Sequence, residues 1–315
     1  MKWGRYLITL LLVGVMCSLV EYSGERELLF PEVLALCLGA WIADRQPWKV
    51  NRLQLFGMMT LSALFGMCVV RFVPVPIVAQ VAVSFAFAAL LLTVTGTTLV
   101  PVLSACILPV LLHTDTWIYP VSVCALSGVV ILVQYGLEKY GVRPRTDQTV
   151  FLFPVRLQRV SLVRWAKQWG LVTAFALIAL ALRLPLLVAP PLIVTFVELC
   201  NPESAARQSY KRVFFSLAAA ACLGAGLRLV IQVWLGGPLW LAGTLAALGL
   251  FVCFERLRFL FPPAGAIALL PLLLQADVLP WYPLQVAVGG CLFICAALYL
   301  FRPASFSAPA REMQE

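Results

Sequence analysis

The sequence has little charge and almost no histidine. Only 12% of its 315 residues are charged and one is histidine, whereas 62% are hydrophobic and the mean hydropathy is +0.97. A soluble domain carries about 25% charged residues, so this chain cannot cover a water-facing surface. Apolar runs near the length that crosses the hydrocarbon core, about 20 residues, recur along the chain. The composition predicts a membrane protein and excludes a sizeable soluble domain.

The sequence also lacks the motifs of common catalytic and metal sites. It has no GxSxG elbow, no phosphate-binding glycine loop, no HExxH and no CxxC pair. Its ten cysteines stand singly within or at the ends of apolar segments, which predicts reduced packing residues. An enzyme is therefore not predicted, and neither a cofactor nor a metal is expected.

Basic residues outnumber acidic ones, and the formal net charge is +9. Lys and Arg lie in short gaps between apolar runs, above all in 44–52, 138–168 and 207–212. Such a pattern orients a membrane protein with these gaps in the cytoplasm, so nucleic acid is not an expected partner but membrane lipid is. We predict a multi-pass protein of a bacterial-type inner membrane with both termini cytoplasmic.

Ordered internal matches relate the two halves of the chain. They pair Trp3 with Trp169, Pro31 with Pro190, Arg71 with Arg228, Pro101 with Pro263, Pro109 with Pro271 and Tyr119 with Tyr282. Six crossings per half place all the basic gaps on one side, whereas five would invert the second half. The sequence therefore predicts an all-α polytopic fold of two parallel repeats, related by an axis along the membrane normal.

Each predicted repeat contains six apolar segments. In the first half they are 5–20, 28–43, 53–72, 77–96, 99–113 and 119–136; in the second they are 169–183, 186–199, 213–233, 239–254, 261–275 and 282–301. The predicted domains are a first transmembrane repeat (1–137), a basic cytoplasmic linker (138–168), a second transmembrane repeat (169–303) and a cytoplasmic tail (304–315).

The second and fifth segments of each half are short and marked by proline. Proline interrupts a helix, and free N–H groups at a helix start attract anions. Matching interruptions in both halves predict a substrate site where the repeats meet. The predicted binding residues are Pro31, Pro101, Pro190, Pro191, Pro262, Pro263, Ala264 and Gly265. The alternative is that proline only kinks packed helices.

Two carboxylates lie deep in predicted membrane segments. Glu32 follows Pro31, and Glu198 lies near the end of its segment. Ionisable residues within the membrane are costly and are functional candidates by default. We predict that Glu32 and Glu198 are candidates for coupling an ion to transport. Neither has an acidic counterpart in the other half, so any proton coupling would be asymmetric.

One stretch of the second half resembles a known family. Residues 261–270 read FPPAGAIALL, similar to the His-Pro-Pro-Ala-Gly-Ala signature of the HPP family of integral membrane proteins. Ala189-Pro190 and the segment 202–208 add to the resemblance, which covers roughly 185–300. It implies a compact helical membrane domain and a link to nitrite transport. Phe261 stands where the family has its histidine, so any role of that histidine must be met differently here.

These observations favour a secondary transporter or channel for a small solute, and the resemblance implies a small, nitrite-like inorganic anion. Two alternatives stay open. One is a membrane enzyme or lipid-binding protein with an apolar cavity between the halves, and the other is a structural or regulatory subunit of a membrane complex. A polar cavity reachable by water favours transport, whereas a wide apolar groove favours lipid. A homo-oligomer is compatible with the sequence but not predicted by it.

Overall fold

The computed structural model describes residues 2–144 and 159–301, and it is helical without strands in these ranges. The helices of the first half are α1 (Lys2–Ser23), α2 (Glu32–Cys37), α3 (Arg52–Phe72), α4 (Ile77–Thr95), α5 (Pro101–Leu112) and α6 (Ile118–Lys139). Those of the second half are α7 (Arg159–Ala181), α8 (Pro190–Leu199), α9 (Ala205–Gln208), α10 (Tyr210–Arg228), α11 (Leu239–Leu257), α12 (Pro262–Leu269) and α13 (Tyr282–Leu300). The predicted all-α polytopic fold is confirmed.

Helix length separates two classes of segment. Within the described ranges, 7 helices are long and apolar enough to cross a membrane. The segments Pro101–Leu112, Pro185–Leu199 and Pro262–Leu273 are apolar but shorter. A helix of 12 residues is about 18 Å long at 1.5 Å per residue, well below the roughly 30 Å of a hydrocarbon core. The proline-marked segments are therefore short helices, and α2, α5, α8 and α12 lie almost fully buried among the longer ones.

Helix α7 begins earlier than the sequence predicted. It starts at Arg159, inside the segment 138–168 that was predicted to be a linker. Trp169, in the middle of this helix, donates from Nε1 to the carbonyl of Ala82 at 2.9 Å. Trp165 packs edge-on against Phe85, with ring centroids 6.1 Å apart. The helix therefore continues into the more polar residues before 169, which hydropathy alone did not assign to it.

Contacts at helix ends give the direction of each helix. Arg5, at the start of α1, donates to the carbonyl of Val142, just after α6 ends. Arg52, at the start of α3, pairs with Glu138 near the end of α6. We call this side the linker face, and the side where α1 ends and α6 begins the distal face. Arg71, at the end of α3, donates to the Asp115 carbonyl before α6, on the distal face.

The helices of the second half run in the same directions as their counterparts. Helix α11 is antiparallel to α1, because Glu21 at the end of α1 accepts from the N–H of Leu239 at the start of α11. Helix α7 is likewise antiparallel to α4 through the Trp169 and Trp165 contacts. Helix α12 follows the linker-face end of α11 and runs toward the distal face, and α10 ends beside the distal end of α12, where Arg228 donates to the Leu274 carbonyl. The two repeats are therefore parallel.

The first helix of each half packs on the other half. Helix α1 lies against α11, and α7 lies against α4. Since α1 is the counterpart of α7, and α4 of α11, the two contacts are reciprocal. The short helices show the same exchange, because α2 contacts α12 while α8 contacts α5. Reciprocal contacts of this kind indicate a pseudo-twofold relation between the halves.

A buried tyrosine compensates the internal proline of each fifth segment. Pro109 has no N–H, so the carbonyl of Ala105, four residues earlier, loses its helical partner. The Tyr119 hydroxyl donates to that carbonyl at 2.9 Å. In the second half the Tyr282 hydroxyl donates at 2.8 Å to the carbonyl of Ile267, four residues before the matching proline. An unpaired carbonyl would be costly within a membrane, which explains why tyrosine and proline recur together.

A glycine brings the third segment of each half close to its fifth segment, just before the internal proline. A Cβ built at Gly66 would overlap the carbonyl oxygen of Cys106 in α5. In the second half, a Cβ at Gly224 would overlap the carbonyl oxygen of Ala268 in α12. Glycine therefore allows α3 and α10 to contact the backbone of the short helices. The contact of Gly66 with α5 and the matching contact of Gly224 with α12 hold these two short helices in place.

Candidate functional site

The first turns of the four short helices meet at one point. They enclose a small cavity of about 10 Å³, at the lower limit for one water molecule. The lining residues are Glu32 and Ala35 of α2, Pro101 and Ser104 of α5, Pro191 and Val194 of α8, and Pro263 and Ala266 of α12. We call this the central cavity. Three predicted site prolines and one predicted coupling carboxylate thus line a single cavity.

The central cavity lies on the pseudo-twofold axis. The matches of Pro31 with Pro190 and of Pro101 with Pro263 relate its lining residues in pairs. The pairs are Glu32 with Pro191, Ala35 with Val194, Pro101 with Pro263, and Ser104 with Ala266. Only two lining residues, Glu32 and Ser104, carry polar side chains, and both belong to the first half. The backbone around the cavity is therefore duplicated, whereas its chemistry is not.

Glu32 and Ser104 form a buried pair. The Glu32 residue is 1% exposed and Ser104 is equally buried. The Ser104 hydroxyl donates to Oε1 of Glu32. Oε2 of Glu32 is buried and has no hydrogen-bond partner among residues 2–144 and 159–301. A buried carboxyl oxygen without a partner is costly and is typical of a group that binds a proton, an ion or a ligand.

The first-turn N–H groups beside the prolines are already bonded. The N–H of Val102 donates to Leu99, at 3.2 Å. The N–H of Leu192 donates to the Ala189 carbonyl at 2.8 Å, and Ala264 donates in the same way to Phe261. The expectation that the helix starts present free N–H groups is therefore wrong for these residues, because tight turns satisfy them locally. The helix dipoles of α5, α8 and α12 still direct positive potential at the cavity.

A larger cavity lies between the central cavity and the distal face. It has a volume of about 520 Å³, within the range of small-molecule sites. Half of its lining residues are leucines from both halves: Leu29, Leu108, Leu111, Leu112, Leu186, Leu270, Leu273 and Leu274. Arg26, Glu27, Thr114 and Gln275 add polar groups. We call it the vestibule. Pro190 lines the vestibule and the next residue, Pro191, lines the central cavity, so only the first turn of α8 separates them there.

The remaining predicted residues lie near the central cavity without lining it. Pro31, Pro262 and Ala264 are buried in the same first turns. Gly265 was predicted to let a ligand approach the backbone, but its free side faces α2. A Cβ built there would lie 2.8 Å from Cδ1 of Leu38 and 3.1 Å from the backbone nitrogen of Ala35. Gly265 thus allows α12 and α2 to pack closely, and its predicted contact with substrate stays a prediction.

The structure separates the two carboxylates that the sequence predicted together. Glu198 lies in the last turn of α8, at the opposite end of that helix from Pro191, and lines neither cavity. It is half-buried. Glu32 is in the first turn of α2 and lines the central cavity. The sequence could not distinguish the two carboxylates, because both lie within apolar segments. In the structure only residues near the start of α2 and of α8 reach the central cavity, and Glu198 is at the end of α8.

Ser104 is the functional candidate that sequence reasoning missed. It is the one hydroxyl residue in the buried run of α5, one turn after Pro101. That isolated polar residue was the available signal. Arg228, which matches Arg71 in the first half, takes part in the packing of the short segments. It is 6% exposed and donates to the carbonyls of Pro271 and Leu274, so it caps the end of the short segment.

Two further results bear on the site. In residues 2–144 and 159–301, no group of three or more His, Cys, Asp and Glu side chains is placed to hold a metal ion. Comparisons with protein-family models, with curated proteins and with solved structures give no match for this chain. The assignment of function therefore depends on the geometry described above, and the resemblance to the HPP family stays an expectation.

Proposed function

We propose that this chain is a secondary transporter of a small inorganic anion, which crosses between the two halves together with a proton carried by Glu32. One observation supports it above the others. The first turns of four short helices meet on the pseudo-twofold axis around the buried Oε2 of Glu32, which has no hydrogen bond within the described ranges. The vestibule lies next to this point, on the side of the distal face. The helical membrane architecture is compatible with a transporter or a channel. The nitrite link of the HPP family agrees with the proposed substrate class.

The central cavity suits an anion when Glu32 is protonated. The positive ends of α5, α8 and α12 point toward it, which favours negative charge. An ionised Glu32 would oppose a second negative charge, however. Two like charges 4 Å apart repel by about 4 kcal/mol at an effective dielectric constant of 20, roughly a thousandfold in affinity. The anion would therefore bind with a proton on Glu32, and the two would be transported together.

The vestibule supplies the route from the distal face. It ends at Pro190, one residue from the central cavity, and its volume would hold a small hydrated anion. The central cavity itself has room for about one water molecule. Transport would require the short helices to separate, and the duplicated contacts of α3 and α10 would act as pivots. Relative motion of two repeats about a central site is the usual mechanism in transporters built from repeats.

We also propose that the linker face is cytoplasmic. The basic segment 44–52, the end of α6 and the start of α10 lie on this face, and basic loops are retained in the cytoplasm. We expect a reporter fused after residue 315 to be active only in the cytoplasm. A reporter inserted at Asp115 should be active only outside. A periplasmic signal from the fusion at 315 would contradict this orientation.

Uptake by purified protein in liposomes tests the proposed function. We expect nitrite or another small anion to accumulate above the level of empty liposomes when the external medium is more acidic. Accumulation should fall to the empty-liposome level when a protonophore removes the proton gradient, because anion and proton move together. Nitrite, nitrate, formate and bicarbonate form a suitable panel. Failure of every anion to accumulate under an acid-outside gradient would contradict the proposal.

The leucine lining of the vestibule favours a second candidate function, binding of a lipid or another apolar molecule. A wall of leucines from both halves suits an acyl chain better than an anion. Photoreactive lipid that labels the vestibule leucines, combined with no anion uptake, would favour this function. Anion uptake without such labelling would favour transport.

A further inference from the structure

Three arginines meet around one carboxylate at the linker face. Arg5 comes from the start of α1, Arg52 from the start of α3, and Arg143 from just beyond α6. Glu138, near the end of α6, lies between them. Arg5 is 7% exposed, Arg143 3% and Glu138 7%. We call these four residues the arginine cluster. They are far along the helices from the central cavity and share no residue with it.

The contacts within the cluster are centred on Glu138. Arg52 donates from Nη2 to Oε2 of Glu138. Nη1 of Arg143 is 3.7 Å from Oε1 of the same carboxylate. Gln134, one turn earlier in α6, donates to that oxygen at 3.0 Å. One carboxylate therefore serves two guanidinium groups and an amide.

Arg5 joins the cluster through the backbone beyond α6. Its Nη2 donates to the carbonyl of Val142 at 2.7 Å. Its Nη1 is 3.7 Å from Oδ1 of Asp44, whose side chain is 73% exposed. The pair with Asp44 is therefore largely in solvent, where it is weak. The position of Arg5 is set mainly by the backbone carbonyl.

Among the described residues, several guanidinium nitrogens in the cluster have no hydrogen-bond partner. They are Nε and Nη1 of Arg5, Nε of Arg52, and Nε and Nη1 of Arg143, and the two Nη1 atoms have only the 3.7 Å ion-pair contacts given above. A buried donor without an acceptor costs about 1–3 kcal/mol, and more if it is charged. The orphaned nitrogens come from three different chain segments. They require an acceptor with several oxygens rather than one carbonyl.

The charge of the cluster is also unbalanced. Three guanidinium groups face one buried carboxylate, and arginine does not lose its proton in proteins. Burial lowers the pKa of Arg143, Glu138 acts in the opposite direction, and Arg5 and Arg52 lower it further. The electrostatic environment of Arg143 is thus one of excess positive charge. Buried charges without full compensation are strongly destabilising.

From these contacts we infer that the arginine cluster binds a phosphate group, either as inorganic phosphate or as the headgroup of an anionic lipid. Guanidinium forks match the oxygens of phosphate in pairs, and a tetrahedral oxyanion offers enough acceptors for nitrogens from all three arginines. Basic pockets between helices at a membrane face are suited to anionic headgroups. The Arg52 side chain, 22% exposed, gives the cluster an open side. This inference is independent of the proposed transport function.

The first experiment uses the unaltered protein in detergent. We expect sodium phosphate to raise its melting temperature in a saturable way, above the effect of sodium chloride at the same ionic strength. In a parallel series without phosphate, phosphatidylglycerol and phosphatidylcholine are added to the micelles. Stabilisation by both phosphate and phosphatidylglycerol indicates a free phosphate site, and stabilisation by phosphatidylglycerol alone indicates a lipid site. If neither exceeds its control, the inference is overturned.

Variants assign the effect to the cluster. In Arg143→Gln we expect the phosphate or lipid concentration for half-maximal stabilisation to rise at least tenfold. Arg45→Gln removes the same charge from an exposed residue of the same face and should leave that concentration unchanged. If Arg143→Gln does not fold, Arg52→Gln, which alters the more exposed arginine, takes its place. Equal half-maximal concentrations in the cluster variant and in Arg45→Gln would refute the site.

Discussion

Replacing Gly224 by alanine is expected to lower the melting temperature sharply or to prevent folding. The new methyl group would overlap the carbonyl oxygen of Ala268 and lie 3.1 Å from the Pro271 ring. A backbone carbonyl within a packed helix cannot move aside as a side-chain end can. Overpacking of this kind costs about 1–3 kcal/mol and occasionally more. The melting temperatures of the purified variant and of the unaltered protein are compared, with size-exclusion chromatography of heated samples as the measure of the protein that stays folded.

Helix α10 provides its own control for this prediction. Gly226, two residues further, is exposed, and nothing lies within 4 Å of a Cβ built there. Gly226→Ala should keep or slightly raise the melting temperature, because alanine is the better helix former by about 0.5–1 kcal/mol. Gly66 and Gly57 form the same contrast in α3. Equal melting temperatures for Gly224→Ala and Gly226→Ala would show that the close contact with α12 does not hold the short helices in place.

Replacing Glu32 by glutamine is expected to remove the dependence of anion uptake on pH. Glutamine resembles the protonated carboxyl group in shape and can still accept the hydrogen bond from Ser104. In the unaltered protein, uptake should fall as the pH rises, because ionised Glu32 repels the anion by about 4 kcal/mol at 4 Å and an effective dielectric constant of 20. In Glu32→Gln, uptake should be flat across the same pH range and should no longer respond to a proton gradient.

Glu198 is the matched control for the coupling role. It also lies in a short helix, but at the far end from the central cavity. Glu198→Gln should retain the pH dependence of the unaltered protein. A loss of pH dependence in Glu198→Gln, with no change in Glu32→Gln, would mean that the proton moves by another path. Uptake measured in liposomes at several external pH values decides between these outcomes.

Much of the fold follows from hydropathy, proline and charge. Each of the twelve apolar segments corresponds to a helix, because an apolar run in a membrane has to satisfy its own backbone groups. The second and fifth segments were predicted to be short from the length of their apolar runs, and interrupted from their prolines. The parallel arrangement followed from the basic gaps. Each of these signals is a property of one segment or of the order of segments along the chain, so it can be read from a single sequence.

The chemistry of the central cavity was only partly predictable. Pro101, Pro191 and Pro263 were identified because matching prolines are visible in both halves. The partnership of Glu32 with Ser104 was not, since these residues are 72 positions apart and no pattern connects them. The same reason applies to the arginine cluster. Which side chains meet depends on how helices from distant segments cross, and amphipathic periodicity is weak in helices that are apolar on every side.

The reciprocal packing of α1 on α11 and of α7 on α4 affects how the protein is made. Helix α1 leaves the ribosome before the other described helices, yet its main neighbour is α11, which is followed only by α12 and α13 among them. Until then the side of α1 that packs on α11 lacks its protein partner. Neither half can complete its interior alone, so assembly of the membrane domain has to wait until most of the described helices have been synthesised. Sequence duplication has thus yielded two halves that are obligate partners during biosynthesis and not two independent folding units.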